Sequence, residues 1–181
     1  MIKLKTPLTD SDIAGLRIGD EVLFSGTIFT ARDAAHGQLI NHIKNNEKLP
    51  FDPHNAIIYY VGPTPPRPNQ VIGSAGPTSS YRMDPYSGVL MSQGVKVMIG
   101  KGDRSPDFLK ALVKYQGVYL SAIGGTGALL SKTIKKATLI AYPELGPEGI
   151  YRLEVEDFPA IVTYDSHGGD LFAEGQKQYE R

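Results

Sequence analysis

Short apolar segments alternate with helix-like ones through the middle of the chain, and this alternation constrains the fold more than any other feature. AIIYYVG (56–62) is followed, after a proline-rich stretch, by PYSGVLMSQ (85–93), VKVMIG (95–100), SPDFLKALVKYQ (105–116), VYLSAIG (118–124), GALLSKTI (127–134) and ATLIAY (137–142). Brief apolar runs bounded by glycine read as buried strands and the segments between them as helices, which is the pattern of a parallel α/β sheet. The two ends differ. Ile2 to Lys5 reads as a short strand, TDSD (9–12) as a turn, and EVLFSGTIFT from Glu21 as a buried strand. Thr30 and Asp33 have capping-box spacing and open a helix through ARDAAHGQLINHIKNNEKL, with Ala35, Leu39 and Ile43 along one face. PTPPRPNQ (63–70) cannot be a strand or helix interior and belongs on the surface. IYRLEVEDF (150–158) and PAIVTYD (159–165) alternate apolar and polar residues, as antiparallel strands at an edge or on a second sheet do. The expectation is one α/β domain over residues 1–181 with a mixed sheet and a polar tail at about 169–181.

Composition narrows the chemistry by exclusion. Nineteen basic residues balance nineteen acidic ones, so nothing points to nucleic acid recognised through bulk charge. There is no cysteine, which removes disulfides, a thiolate nucleophile and any iron–sulfur cluster ligated by this chain alone. The four histidines, His36, His42, His54 and His167, do not fall at HExxH spacing, and no metal site is expected. No apolar run approaches the roughly 20 residues that span a bilayer, and MIKLKTPLTDSD lacks the apolar core of a signal peptide. A cytoplasmic protein without membrane contact is the expectation.

In open α/β sheets ligands bind where strand ends feed helix N-termini. Four such loops stand out: TARDAAH (30–36), GSAGPTSSYRMD (73–84), GKGDRS (100–105) and GGTGA (124–128). Three of them carry a cation, Arg32, Arg82 and Lys101, a set suited to a small dianion. Taken singly, each cation reads as a surface side chain, since exposed pairs contribute only about 0–1 kcal/mol. Their recurrence at successive strand ends moves the balance towards a site. GKGDRS lacks the spacing of a phosphate loop, and GGTGA is an incomplete dinucleotide fingerprint whose glycines fit close backbone packing better. Thr78 and Ser79 read as helix caps, Asp33 as a capping residue, Asp84 as the residue opening a helix, and His36 as a surface or packing histidine. From the residues alone the chain is an anion-binding α/β domain.

At these same loops the chain resembles the β subunit, or C-terminal domain, of the iron–sulfur (class I) fumarate hydratases and the related L-tartrate dehydratase β subunits. The motifs that carry the resemblance are GTIFTARDAAH (26–36), IYYVGPTP (58–65), GSAGPTSSYRMD (73–84), MIGKG (98–102) and VEDFPAIVTYDSHG (155–168), spread in order over most of the chain. The resemblance implies a swivelling β/β/α fold and reversible hydration of fumarate to L-malate at a site shared between two domains. It implies a [4Fe–4S] cluster held by a cysteine-containing α subunit, hence a hetero-oligomer in which this chain is inactive alone. Carried over by position, Thr78 is the base that removes the C3 proton of malate. Arg32, Arg82 and Lys101 bind the substrate carboxylates, and His36 is a further acid/base. A threonine hydroxyl is a poor base unless cations lie close to it. Ser79 stands where the family commonly has a second threonine after GPT. RMD and a cysteine-free ARDAAH lean towards fumarate over tartrate. The alternatives are an L-tartrate or mesaconate dehydratase β subunit, or a non-catalytic domain that binds dicarboxylates by itself.

Overall fold

The apolar segments of the alternating region form strands, and the segments between them helices, in a computed structural model that describes residues 1–122 and 126–179. In chain order the elements are β1 (Ile2–Lys5), α1 (Asp10–Gly15), β2 (Glu21–Thr30), α2 (Asp33–Lys44) and β3 (Ile57–Tyr59). A 3₁₀ turn (Ser80–Met83) leads into α3 (Asp84–Ser92), followed by β4 (Val97–Gly100), α4 (Pro106–Lys114), β5 (Val118–Ser121), α5 (Gly127–Thr133) and β6 (Ile134–Ala141). A second 3₁₀ stretch (Pro143–Glu148) precedes β7 (Ile150–Tyr164), and α6 (Leu171–Tyr179) ends the described chain.

The strand order is β1-β2-β3-β4-β5-β7-β6, with the first five strands mutually parallel. β7 is antiparallel to β5 near its end and to β2 along most of its length, so β2, β3, β4, β5 and β7 close into a ring. Period-two alternation then assigns each side chain to one of two cores. Ile57, Tyr59 and Val61 join Val97, Ile99, Val118 and Leu120 in one cluster, together with residues of α1 and α5. Ile58, Tyr60, Met98 and Tyr119 face the other way, under α2, α3 and α4. Both faces of β3 and β4 are buried, which is why these strands are continuous apolar runs.

Three sequence expectations change, and the polar tail gains a structure. TDSD is no turn: Thr9 caps α1, accepting from the Asp12 N–H at 3.1 Å while Asp12 accepts from the Thr9 N–H at 2.8 Å. The capping box therefore lies at Thr9 and Asp12, and Thr30 and Asp33 do not form one. The Thr30 hydroxyl accepts from the Tyr151 N–H at 3.0 Å across the sheet, and the N-cap of α2 is Arg32, whose side chain makes no capping bond. Residues 150–158 and 159–165 are not two strands, because β7 runs through both. The polar tail is helical, and Phe172 packs edge-on against Tyr164 of β7.

Candidate active site

The carboxyl ends of β2, β3 and β4 bring the loops carrying Arg32, Thr78, Arg82 and Lys101 to one end of the sheet. The segment 78–80 continues the sheet at this end. The Thr78 N–H donates to the Tyr60 carbonyl at 2.8 Å, the Ser80 N–H donates to the Lys101 carbonyl at 3.1 Å, and Ser79 forms a parallel bridge with Lys101. Ser80 locks this arrangement. Its buried hydroxyl accepts from the Lys101 N–H at 3.0 Å and lies 2.9 Å from the Tyr119 hydroxyl. Thr78 and Ser79 are therefore part of a strand-like extension. Neither side chain caps a helix.

Along this extension the candidate groups are joined directly. Arg82 Nη2 donates to Thr78 Oγ1 at 2.7 Å, and Asp33 sits against the same guanidinium, 3.5 Å from Nε. A cationic N–H aimed at a hydroxyl oxygen stabilises that oxygen as its proton leaves. Arg32 is held on its own acid, Glu148, at 3.3 Å, and its chain lies over Gly62, where an added Cβ would stand 2.8 Å from Arg32 Cδ. Lys101 is exposed beside them. Among the described residues, Arg32 Nε, Arg82 Nε and Asp33 Oδ1 are buried polar atoms without hydrogen-bond partners. Five further atoms of this kind lie elsewhere among the described residues, and Arg82 Nε still faces Asp33 as an ion pair, so these three add spare hydrogen-bonding capacity at this end of the sheet without by themselves marking a ligand site. The cluster faces outward. A cleft of about 790 Å³ lies elsewhere, between Ile43, Phe51 and Gln93.

Other named residues are placed differently, and of them His36 meets the cluster only through the Arg32 carbonyl. His36 is buried inside α2, with its ring against Tyr60 and Tyr86. Arg104 turns inward and pairs with Asp84 at 2.5 Å, so the aspartate of RMD ties two helices together. Tyr81 is 63% exposed. Of GGTGA, residues 124 and 125 lie outside the described residues. Gly127 meets the expectation of close packing, since an added Cβ would stand 2.8 Å from the Gly76 nitrogen. Ser80 and Glu148 escape a reading of the sequence, because a lone serine after GPTS and a glutamate after a Gly-Pro turn carry no local signal. Gly100 depends on Ser80 in turn: a Cβ there would stand 1.9 Å from Ser80 Oγ and 2.9 Å from Tyr60 Cδ2. Gly100→Ala is expected to cost about 1–3 kcal/mol of stability by overpacking. Urea denaturation measures this, and an unchanged midpoint would mean that Ser80 moves aside freely.

The fumarase C-terminus family profile matches residues 1–175. The chain belongs to this family. A Methanocaldococcus jannaschii protein named "Putative L(+)-tartrate dehydratase subunit beta" is 41% identical over 96% of this chain and 93% of its own length. The aerobic class I fumarate hydratase of Escherichia coli K12 is 37% identical over 97% of the chain, and fumarate hydratase 2 of Leishmania major 38% over 95%. The chain spans only 33% and 31% of those two proteins. This fumarase C-terminal chain thus matches a separate β subunit almost end to end and a much longer hydratase over about a third. Its residues do not fit an iron–sulfur cluster: it has no cysteine, and no three His, Asp or Glu side chains among the described residues gather to hold a metal. No helix among the described residues is long and apolar enough to cross a membrane.

Proposed function

We propose that the chain is the β subunit of a two-subunit hydro-lyase that interconverts fumarate and L-malate, contributing substrate-carboxylate binding and proton transfer. The carrying observation is the line Asp33–Arg82–Thr78, set beside Arg32 and Lys101 in a chain of the fumarase C-terminal family. Arg32, Arg82 and Lys101 hold the two carboxylates, and Thr78, as the alkoxide that the Arg82 guanidinium stabilises, takes the C3 proton of malate to become the neutral hydroxyl, while the C2 hydroxyl leaves on the side of the partner subunit. Charge then builds on the carboxylate next to that carbon, where fixed cations stabilise it without reorganising. Arg82 serves both ends of this step, since a guanidinium has five donors and can face Thr78, Asp33 and a carboxylate together. The [4Fe–4S] cluster belongs to a cysteine-bearing α subunit in a cytoplasmic hetero-oligomer.

A second reading, the β subunit of an L-tartrate dehydratase, is favoured by the near end-to-end match to the archaeal subunit. Anaerobic pull-down of the chain from its native cells, assayed for iron and for turnover of fumarate, L-tartrate and mesaconate, tests both readings. A cysteine-bearing partner with iron and fumarate hydration is the expected result. Turnover of tartrate or mesaconate in place of fumarate reassigns the substrate. A chain recovered alone, iron-free and inactive, removes the hydro-lyase and leaves a dicarboxylate-binding domain.

A further inference from the structure

We infer that His36 is a positioning residue for Arg32: its ring Nδ1–H donates to the Arg32 carbonyl and fixes the main chain that carries the carboxylate-binding guanidinium. The inference rests on Arg32 binding substrate, as proposed above. It departs from the acid/base role that the resemblance implies for this histidine.

The geometry determines the tautomer. His36 Nδ1 lies 2.8 Å from the Arg32 carbonyl oxygen. A carbonyl can only accept, so the proton of the neutral ring sits on Nδ1 and Nε2 is bare. Nε2 is buried and has no hydrogen-bond partner among the described residues. The whole residue is 1% exposed, with Tyr60 at 5.4 Å and Tyr86 at 5.8 Å between ring centroids. One ring nitrogen is committed and the other is sealed, so neither offers a path for a substrate proton. The charges facing the ring are Asp33 in its own helix and Arg104 from the loop before α4. Burial dominates both and pushes His36 down to about 4, which keeps the ring uncharged at neutral pH.

The same carbonyl also accepts the His36 backbone N–H at 2.9 Å, so two donors from one residue hold one oxygen. This matters because Arg32 is the N-cap of α2 and adopts an extended conformation with no side-chain cap of its own. Beyond the backbone, the Arg32 side chain is guided by Gly62 beneath it and Glu148 at its tip. His36 therefore supplies the fixed origin from which that reach is measured.

Two substitutions in the assembled enzyme and one spectrum of the full chain test this. In His36→Asn the amide Nδ2–H can replace the Nδ1–H, whereas His36→Leu keeps bulk and loses the donor. The expected result for His36→Leu is a KM for the dicarboxylate raised about tenfold with kcat within about threefold, as befits a loosened binding group. His36→Asn is expected to restore KM to within about threefold of wild type and to leave the pH profile of turnover unchanged. If His36→Asn instead slows turnover by about two orders of magnitude, or removes one limb of the profile, the inference is overturned. Independently, ¹⁵N-histidine spectra of the full chain, assigned by difference from His36→Asn, should show the Nδ1–H tautomer at pH 7. They should also show no titration near the ordinary histidine value of about 6.5. An Nε2–H tautomer or a titration there overturns the inference even if His36→Leu does not fold. If the assembled wild type turns over no dicarboxylate, the functional reading falls while the tautomer still decides the His36–Arg32 bond.

Discussion

Thr78→Ala in the assembled enzyme is expected to lower kcat by about 10²–10⁴-fold, the range a positioned proton-transfer group contributes, with little change in KM. The split between the two constants follows from the geometry. In the proposed roles Arg32, Arg82 and Lys101 remain to bind carboxylates, and Arg82 keeps its ion pair with Asp33, which does not involve the threonine hydroxyl. Thr78→Ser retains an oxygen within reach of Arg82 Nη2 and should keep turnover within about tenfold of wild type. Arg82→Lys should lose most of the activity although the charge is conserved, because a single ammonium cannot reproduce the fork that faces Thr78 and Asp33 together. Steady-state assays on the purified assembly check all three. Turnover by Thr78→Ala within about threefold of wild type would take the base role from Thr78.

The arginine–threonine contact behind this prediction illustrates what a sequence reveals and what it does not. Arg82 is identifiable as a candidate from its loop, marked by its glycines and by the strand before it, whereas Thr78, four residues earlier, reads locally as a cap and enters only through the family resemblance. Their mutual contact depends on the strand-like course of residues 78–80, which is imposed by Tyr60, Lys101 and Tyr119 from three other strand ends. The same division holds for the fold. Among the described residues from 95 to 142 each strand and helix is marked by local period and by glycine, and those elements are present in the structure, with β6 starting three residues earlier than its apolar run. Thr30 and Asp33 have the spacing of a capping box, but the Thr30 hydroxyl is engaged by Tyr151 of β7, a contact no local pattern encodes. Pro159 splits the apparent strand at 150–165 in two, yet β7 continues through it. Its outer edge is unpaired there, since β6 pairs with it only up to Val155 and β5 only from Ile161. A missing N–H costs little at such a position.

Asp84→Ala should destabilise the protein by about 3–5 kcal/mol, because it strands a charged guanidinium in the interior. The Arg104 side chain is fully buried and its counter-ion 10% exposed. Asp84 accepts from Arg104 Nε and, at 2.7 Å, from the Ser105 N–H at the start of α4, so its carboxylate serves a charge and a helix end together. Tyr60, Tyr119 and Phe108 surround the guanidinium, with the Phe108 centroid 3.4 Å from its carbon. These rings favour a cation, but they cannot replace the carboxylate as its hydrogen-bond acceptor. For a chain of this length the loss corresponds to a fall in Tm of roughly 6–20 °C by calorimetry. Arg104→Met added to Asp84→Asn should recover much of it, since the uncompensated charge is then gone and methionine fills the ring-lined space. A cost below about 1 kcal/mol for Asp84→Ala would mean that water reaches Arg104 and the pair is no buried tie. The consequence extends to the site, because Tyr119 packs on Arg104 with one face and reaches Ser80 with its hydroxyl. Loosening Arg104 should therefore loosen the 78–80 segment, and Asp84→Ala that still folds should show a raised KM alongside its lowered Tm.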